Sequence, residues 1–374
     1  MTPTSDLATK NKRLVSIDAL RGFDMLMIAG GGSIIASLHN KTDNGFLNML
    51  AEQFEHPAWH GFTFYDFIFP LFLFIAGISI PFSINKGLSL GMKKQEIYKK
   101  SAMRMVILIL LGMLYKNAPF PFFEWSEIRM GSVLGRIGIA GFVATVLFLN
   151  FDDKKRLFWV AGLLLSYFAA LMFIPVPGFG AGDLTFEGNL VGWFDRTFLP
   201  GRLLQGSYDE LGLLTQIPAM CLTILGTQAG LILYDKSNSD KKKLSQLVVW
   251  GAVLVVIGLV WNLVFPINKH LWTSSFILFT AGMAFLTMAL FYLVIDVYNN
   301  QKWALFFKVI GLNSLTIYFV YRFISFENTS RLLFGGLYEG LDEKWHVFFA
   351  SVGALGLVWG FLYFLYRKKI FFKV

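Results

Sequence analysis

EHPAWHGFTFYDFIFPLFLFIAG (residues 55–77) opens with two histidines and a tryptophan and runs straight into phenylalanine, leucine and isoleucine. From Gly61 to Ile84 the only charged residue is Asp66. About 20 predominantly apolar residues carry a helix across the hydrocarbon core of a bilayer, so this run predicts a membrane span. An ionisable residue inside such a span is costly and is by default a site to be explained. Something must hold Asp66 a turn or two beyond a pair of imidazoles.

The rest of the chain agrees with a membrane reading. Of its 374 residues 55% are hydrophobic, 17% aromatic and only 15% charged, with a mean hydropathy of +0.58. That leaves too little polar residue to cover a soluble domain. Ten segments reach or approach spanning length: 18–38, 61–84, 101–117, 130–150, 157–175, 210–234, 245–265, 271–296, 303–324 and 346–367. The expected fold class is therefore an all-α polytopic membrane protein of ten transmembrane helices. The segment at 101–117 is the weakest, squeezed between Arg104 and Lys116.

Charge sets the expected orientation. The net charge of +9 is spread over short basic clusters between apolar runs, a pattern of cytoplasmic membrane loops that argues against nucleic acid. Beginning with Lys10, Lys12 and Arg13, alternate loops carry KKQEIYKK, DDKKR, DKSNSDKKK, NNQK and RKK. Ten crossings with both termini cytoplasmic satisfy the positive-inside rule at every loop. The expected organisation is a cytoplasmic tail over 1–16 and one transmembrane domain over 17–370, with outer loops at 39–60 and 175–209. The first apolar run lacks a cleavage signature and reads as a retained anchor. Cys221 is the single cysteine, which excludes a disulfide framework or a cysteine metal cluster.

Polar residues inside the spans are the candidates for function. Asp18, Arg21 and Asp24 share adjoining positions of the first span, read either as a structural ion pair or as ligand-binding groups. Gly30, Gly31 and Gly32 then weaken that helix. His56 and His60 bracket Trp59, and on a helix the two rings would stack; with no third ligand at metal spacing, no metal site is expected. A histidine also serves as base or nucleophile near neutral pH, and Asp66 is placed to orient one. Arg136 lies in the fourth span, and FPINKHLWTSSFILFTAG (265–282) offers Asn268, Lys269 and Trp272 as hydrogen-bonding and stacking groups. Asn313 and Arg322 mark the ninth span. No Walker loop, nucleophile elbow or zincin motif is present.

RLVSIDALRGFDMLMIAGGG followed by HPAWHGFTFYDFIFPLFLFIAGISIPFS resembles the membrane domain of the heparan-alpha-glucosaminide N-acetyltransferase family and its bacterial relatives. The resemblance continues through GSVLGRIGIAGF, NLVGWFDRTFLPGRL, LLTQIPAMCLTILGTQAG and FPINKHLWTSSFILF, in order along nearly the whole chain. It implies an integral enzyme of a bacterial inner membrane that passes acetyl from cytosolic acetyl-CoA to the amine of a glucosamine-type sugar on the outer side. The family's active-site histidine corresponds to His56, with Trp59 and Gly61 in register and Asp66 matching its acid. An asparagine before the glycine run of the lysosomal member is replaced here by Ile28 or Ala29, which favours a cell-wall or glycan amino sugar over heparan as acceptor.

On this reading His56 and Asp66 carry the chemistry, and Arg13, Arg21 and Arg136, with Lys94, hold CoA. Trp59, His60, Asn268, Lys269, Trp272 and Asn313 bind the acceptor. The resemblance also implies a homodimer, and the glycine spacing of Gly131 and Gly135 permits helix pairing. The rivals are an O-acyltransferase of surface polysaccharide and a sugar or lipid-linked sugar transporter. Against the transporter, no paired interrupted spans are evident in the two halves.

Overall fold

A computed structural model describes residues 14–41 and 43–372 and is helical throughout, apart from an isolated bridge between Val176 and Gly180. The helices are α1 (Val15–Leu26), α2 (Gly32–Ala36), α3 (Gly45–Glu52), α4 (Phe64–Ser89), α5 (Lys94–Lys116), α6 (Val133–Asn150), α7 (Asp153–Phe173) and α8 (Leu190–Phe198). After them come α9 (Gln216–Tyr234), α10 (Asp240–Trp261), α11 (Ser274–Phe291), α12 (Ala304–Leu312), α13 (Ser314–Phe323), α14 (Phe326–Phe334) and α15 (His346–Arg367).

Among the described residues eight helices are long and apolar enough to span a bilayer, and the bent pair α12–α13 makes a ninth. The tenth expected segment, 101–117, lies on α5, whose 23 residues have the length but carry Lys94, Lys99, Lys100, Arg104 and Lys116. The expected span at 210–234 starts late, at Gln216. The Asp195 and Asp209 carboxylates accept the N–H groups of Leu213 and Leu211 and hold that stretch in turns instead.

Helices α4, α9 and α11 form the buried centre, and α7, α10 and α15 turn much of their surface outward. Phe67, Phe74, Phe276 and Phe285 fill the space between them. The α4–α9 seam depends on two glycines. A Cβ on Gly77 would lie 2.1 Å from the Thr223 carbonyl oxygen, and one on Gly226 would lie 2.2 Å from that of Phe74. The Gly131/Gly135 spacing is also used within the chain, and so offers no free pairing face. A Cβ on Gly131 would meet the Asp209 carboxylate, and one on Gly135 would meet Ser132 and Ile109 of α5.

Two spans are broken. Met27–Gly31 is a π-helical stretch in which Ala29 leaves helical geometry and Gly30 takes φ 116°, a value open to glycine and strained for any other residue. The second break is the 70° bend between α12 and α13, at Asn313. Tyr321 of α13 donates its hydroxyl proton to the Ala29 carbonyl, so the second broken span repairs a backbone hydrogen bond lost in the first. The first break falls in the glycine run at 30–32 that weakens the helix in the sequence, whereas the second, at Asn313, has no such glycine run to mark it.

Replacing Gly226 by Ala should cost about 1–3 kcal/mol through overpacking. Gly141→Ala, inside α6 with nothing within 4 Å of the new methyl, should be stabilising by up to about 1 kcal/mol through helix propensity. Thermal unfolding of the two variants in detergent, compared with the parent, checks the difference.

Candidate active site

The chain between α3 and α4 does not form the helix that would stack His56 on His60. Pro57 and Gly61, the latter at φ 123°, keep residues 57–63 irregular. The α4 helix begins at Phe64 with Thr63 as N-cap, and Asp66 is its third residue. The acid is thus at the mouth of the span, in a capping box. Its Oδ2 accepts the Thr63 N–H at 3.1 Å and the Thr63 hydroxyl at 3.3 Å. A carboxylate there also meets the positive end of the helix dipole.

The other carboxylate oxygen is what the histidine uses. His56 Nδ1 lies 2.6 Å from Asp66 Oδ1; Asp66 is fully buried, whereas the imidazole remains 42% exposed. An ionised carboxylate only accepts, so Nδ1 carries the proton and Nε2 keeps its lone pair. The ring lies against Tyr65 with centroids 5.1 Å apart. Lys269 Nζ is 3.3 Å from Asp66 Oδ1, and 3.2 and 3.1 Å from the two nitrogens of His56. The in-plane lone-pair directions of an imidazole diverge, so an ammonium equidistant from both nitrogens lies over the ring face. Lys269 thus lies within hydrogen-bonding distance of the acid and of both imidazole nitrogens and offsets the charge of Asp66.

Asn268 joins the two chain segments that make the site. Its Oδ1 accepts the Leu271 N–H at 2.8 Å, which fixes the amide orientation. Its Nδ2 then donates to the Trp59 carbonyl at 3.1 Å and to His60 Nδ1 at 3.2 Å. His60 Nδ1 must therefore be an acceptor, with the proton on Nε2. Burial, and secondarily the neighbouring His270, lower the His60 pKa from its ordinary value. A further backbone bond, from Gly61 N–H to the Ile267 carbonyl at 3.0 Å, ties the segments beside it.

A second histidine–carboxylate pair adjoins the first, and the sequence reading passed over it. His270 Nδ1 lies 2.8 Å from Glu210 Oε1 and 2.8 Å from the Tyr208 hydroxyl. Trp59 stacks on this ring, with centroids 5.2 Å apart and planes 10° from parallel, and donates its indole N–H to the Leu184 carbonyl at 2.8 Å. Burial works to raise the Glu210 pKa, but the hydrogen bond from His270 and the charges of Lys269 and His270 hold it below the usual carboxylate range. His270 stands next to Lys269 in a quoted motif and could have been singled out. Glu210 fell inside an expected span, and only the late start of α9 puts it in a loop.

The remaining expected residues are elsewhere. Trp272 is fully buried, with the Arg136 guanidinium 4.4 Å over its ring, so this face does not stack a sugar. Arg136 is also fully buried and donates to Thr215 and to the Glu210 carbonyl, which places it behind the His270 pair. Arg21 donates to Ser79 Oγ at 2.9 Å, about 20 Å along α4 from Asp66 at 1.5 Å per residue. Lys94 donates to the Leu149 carbonyl at 2.8 Å. Asn313 is buried at the α12–α13 bend, with no hydrogen bond to either histidine pair among the described residues. Arg13 lies outside the described residues.

Residues 13–265 match the family model described as heparan-alpha-glucosaminide N-acetyltransferase, catalytic. The mouse heparan-alpha-glucosaminide N-acetyltransferase is 29% identical over 86% of this chain and 56% of its own length. The human protein of that name is 28% identical over 97% of this chain and 60% of its own length. The chain thus spans little more than half the length of these curated relatives.

His60 is expected to be neutral at pH 7, because burial disfavours its imidazolium. His270→Gln removes the group whose protonated form repels a His60 imidazolium, and should move the His60 titration upward. Histidine NMR signals followed against pH in detergent check both statements.

Proposed function

Because the chain belongs to the heparan-alpha-glucosaminide N-acetyltransferase catalytic family, we propose that it moves acetyl from acetyl-CoA to the amine of a glucosamine-type sugar, with His56 at the reacting centre. The observation that carries this reading is the 2.6 Å contact between His56 Nδ1 and buried Asp66, which leaves Nε2 basic on an exposed ring. In the direct route the amine attacks the thioester carbonyl, the C–S bond breaks, and His56 passes the amine proton to the departing thiolate. In the two-step route Nε2 attacks the thioester carbonyl and the CoA thiolate leaves; the amine then attacks the acetyl group, the bond to the ring nitrogen breaks, and the amine proton goes to the thiolate. Either way Asp66 holds the tautomer and offsets the imidazolium, and Lys269 supplies positive charge for the tetrahedral oxyanion.

The multi-pass helices act as one transmembrane acyltransferase unit with both termini cytoplasmic. CoA enters from the basic-loop face, with Arg13 and Arg21 as its phosphate contacts, and the sugar from the face bearing His56. His60 and Asn268 shape the acceptor side. The location is a bacterial inner membrane, by the resemblance to bacterial members, and the acceptor is a cell-wall or glycan amino sugar. Homodimerisation is carried by the resemblance alone. One observation favours a second reading, a sugar transporter: the two broken spans meet at Ala29 and Tyr321.

Radiolabelled acetyl-CoA separates these readings. Purified parent protein should release CoA when glucosamine is added, and His56→Ala should abolish that release. Asp66→Asn, which keeps the shape but favours the wrong tautomer, should lower turnover by about 10⁴-fold. Label retained on the protein without acceptor selects the two-step route. No release and no labelling with any amino sugar rejects the transferase and leaves the transporter.

A further inference from the structure

Glucosamine meets an enzyme at neutral pH largely as an ammonium ion, which has no lone pair with which to attack a thioester. Acetyl transfer to it sheds two protons from nitrogen. One converts the departing thiolate to a thiol, and the other must leave the site. His56 can handle only one of them at a time, and none while it carries acetyl.

From the acetyl-transfer reading above and the second histidine pair, we infer that His270 is the base that takes the first proton from the acceptor ammonium, backed by Glu210 and Tyr208. The hydrogen-bond geometry supports this. Glu210 is ionised and only accepts, so the contact at 2.8 Å puts the proton on His270 Nδ1, with the Tyr208 oxygen as its second acceptor at 2.8 Å. Nε2 is then the basic nitrogen, and among the described residues it has no hydrogen-bond partner. The pair repeats the logic of His56 and Asp66, in which a buried acid fixes one tautomer and offsets the charge the ring gains.

Position supports it as well. His270 follows Lys269, whose ammonium lies over the His56 ring, and it stacks on Trp59, three residues from His56 in the same loop. Its side chain is 13% exposed and that of Glu210 is 20%, so the pair opens to solvent while staying partly dry. The charged and titratable groups around it are Glu210, Tyr208, His60, Lys269 and His56, with Arg136, Asp209 and Lys116 behind them.

The step balances. The ammonium N–H bond breaks and the proton goes to His270 Nε2. The freed lone pair forms the N–C bond, the C–S bond breaks, and the second amine proton passes through His56 to the CoA thiolate. The proton on His270 then leaves to outer water. On this account Trp59 is a positioning residue that holds the His270 ring, and it does not serve as a sugar platform.

The test is the pH profile of kcat/KM for glucosamine with the full chain in detergent and saturating acetyl-CoA. At a pH below the amine's own pKa, His270→Gln should fall about 10²-fold below the parent. It should recover about tenfold per pH unit as free amine becomes available, and meet the parent above the amine pKa. Glu210→Gln, which keeps a hydrogen-bonding partner for the ring but removes its charge, should show a smaller loss of the same shape, and it carries the test if His270→Gln does not fold. Profiles that run parallel to the parent's at every pH, or that coincide with it, overturn the proposal and leave the pair a structural one. If the parent itself releases no CoA with glucosamine, the acetyl-transfer reading fails instead.

Discussion

A buried carboxylate at the mouth of a membrane helix has to find its partners in the protein, and the arrangement around Asp66 follows from that constraint. One oxygen is satisfied within the capping box of α4, by the Thr63 N–H and hydroxyl. The other faces back out of the membrane toward whatever the preceding loop presents, and it receives His56 and the Lys269 ammonium. The same acid therefore starts the helix, anchors the loop and fixes the tautomer of the imidazole. Removing it would leave a buried ammonium uncompensated as well as the histidine misoriented.

Around that point the protein is closed by loops that bind one another more than they bind helices. Asn268 spends both amide protons on the loop carrying Trp59 and His60 and uses its oxygen for its own turn. Trp59 is clamped by Leu184 through its N–H and by His270 across its face. Behind these, Arg129 donates twice to buried Asp209, at 2.6 and 2.7 Å, and orders the turn that delivers Tyr208 and Glu210. These side-chain to backbone and side-chain to side-chain bonds hold the loops of the site to one another.

At depth the constraint is met differently, by close backbone approach and mutual repair. Gly77 and Gly226 let α4 and α9 touch backbone to backbone, and the helix carrying Asp66 is held in the centre by that seam. Tyr321 supplies the hydrogen bond that the π-helical break at Ala29 forfeits. Breaks of this kind are tolerated only inside protein or along a cavity.

Much of this was legible in the sequence. Apolar runs of spanning length identify the all-α membrane fold because lipid demands about the same helix length everywhere, and nine of the ten expected segments, counting the bent pair as one, match helices long and apolar enough to span. The motif around His56 and Asp66 showed the two residues that meet, because a ten-residue separation across a helix start leaves few other ways to satisfy the acid. What the sequence could not show was pairing between segments far apart in the chain. Lys269 over His56, Glu210 on His270 and Trp59 on His270 join positions separated by 60 to 213 residues. Nor could it distinguish a half-buried tryptophan from an enclosed one: Trp59 and Trp272 are each preceded by an apolar and followed by a polar residue, yet one lines the site and the other is sealed beneath Arg136. Periodicity and composition report on a single helix and its solvent. Which side chains face each other across helices is decided only when glycine seams and loop hydrogen bonds bring those helices together.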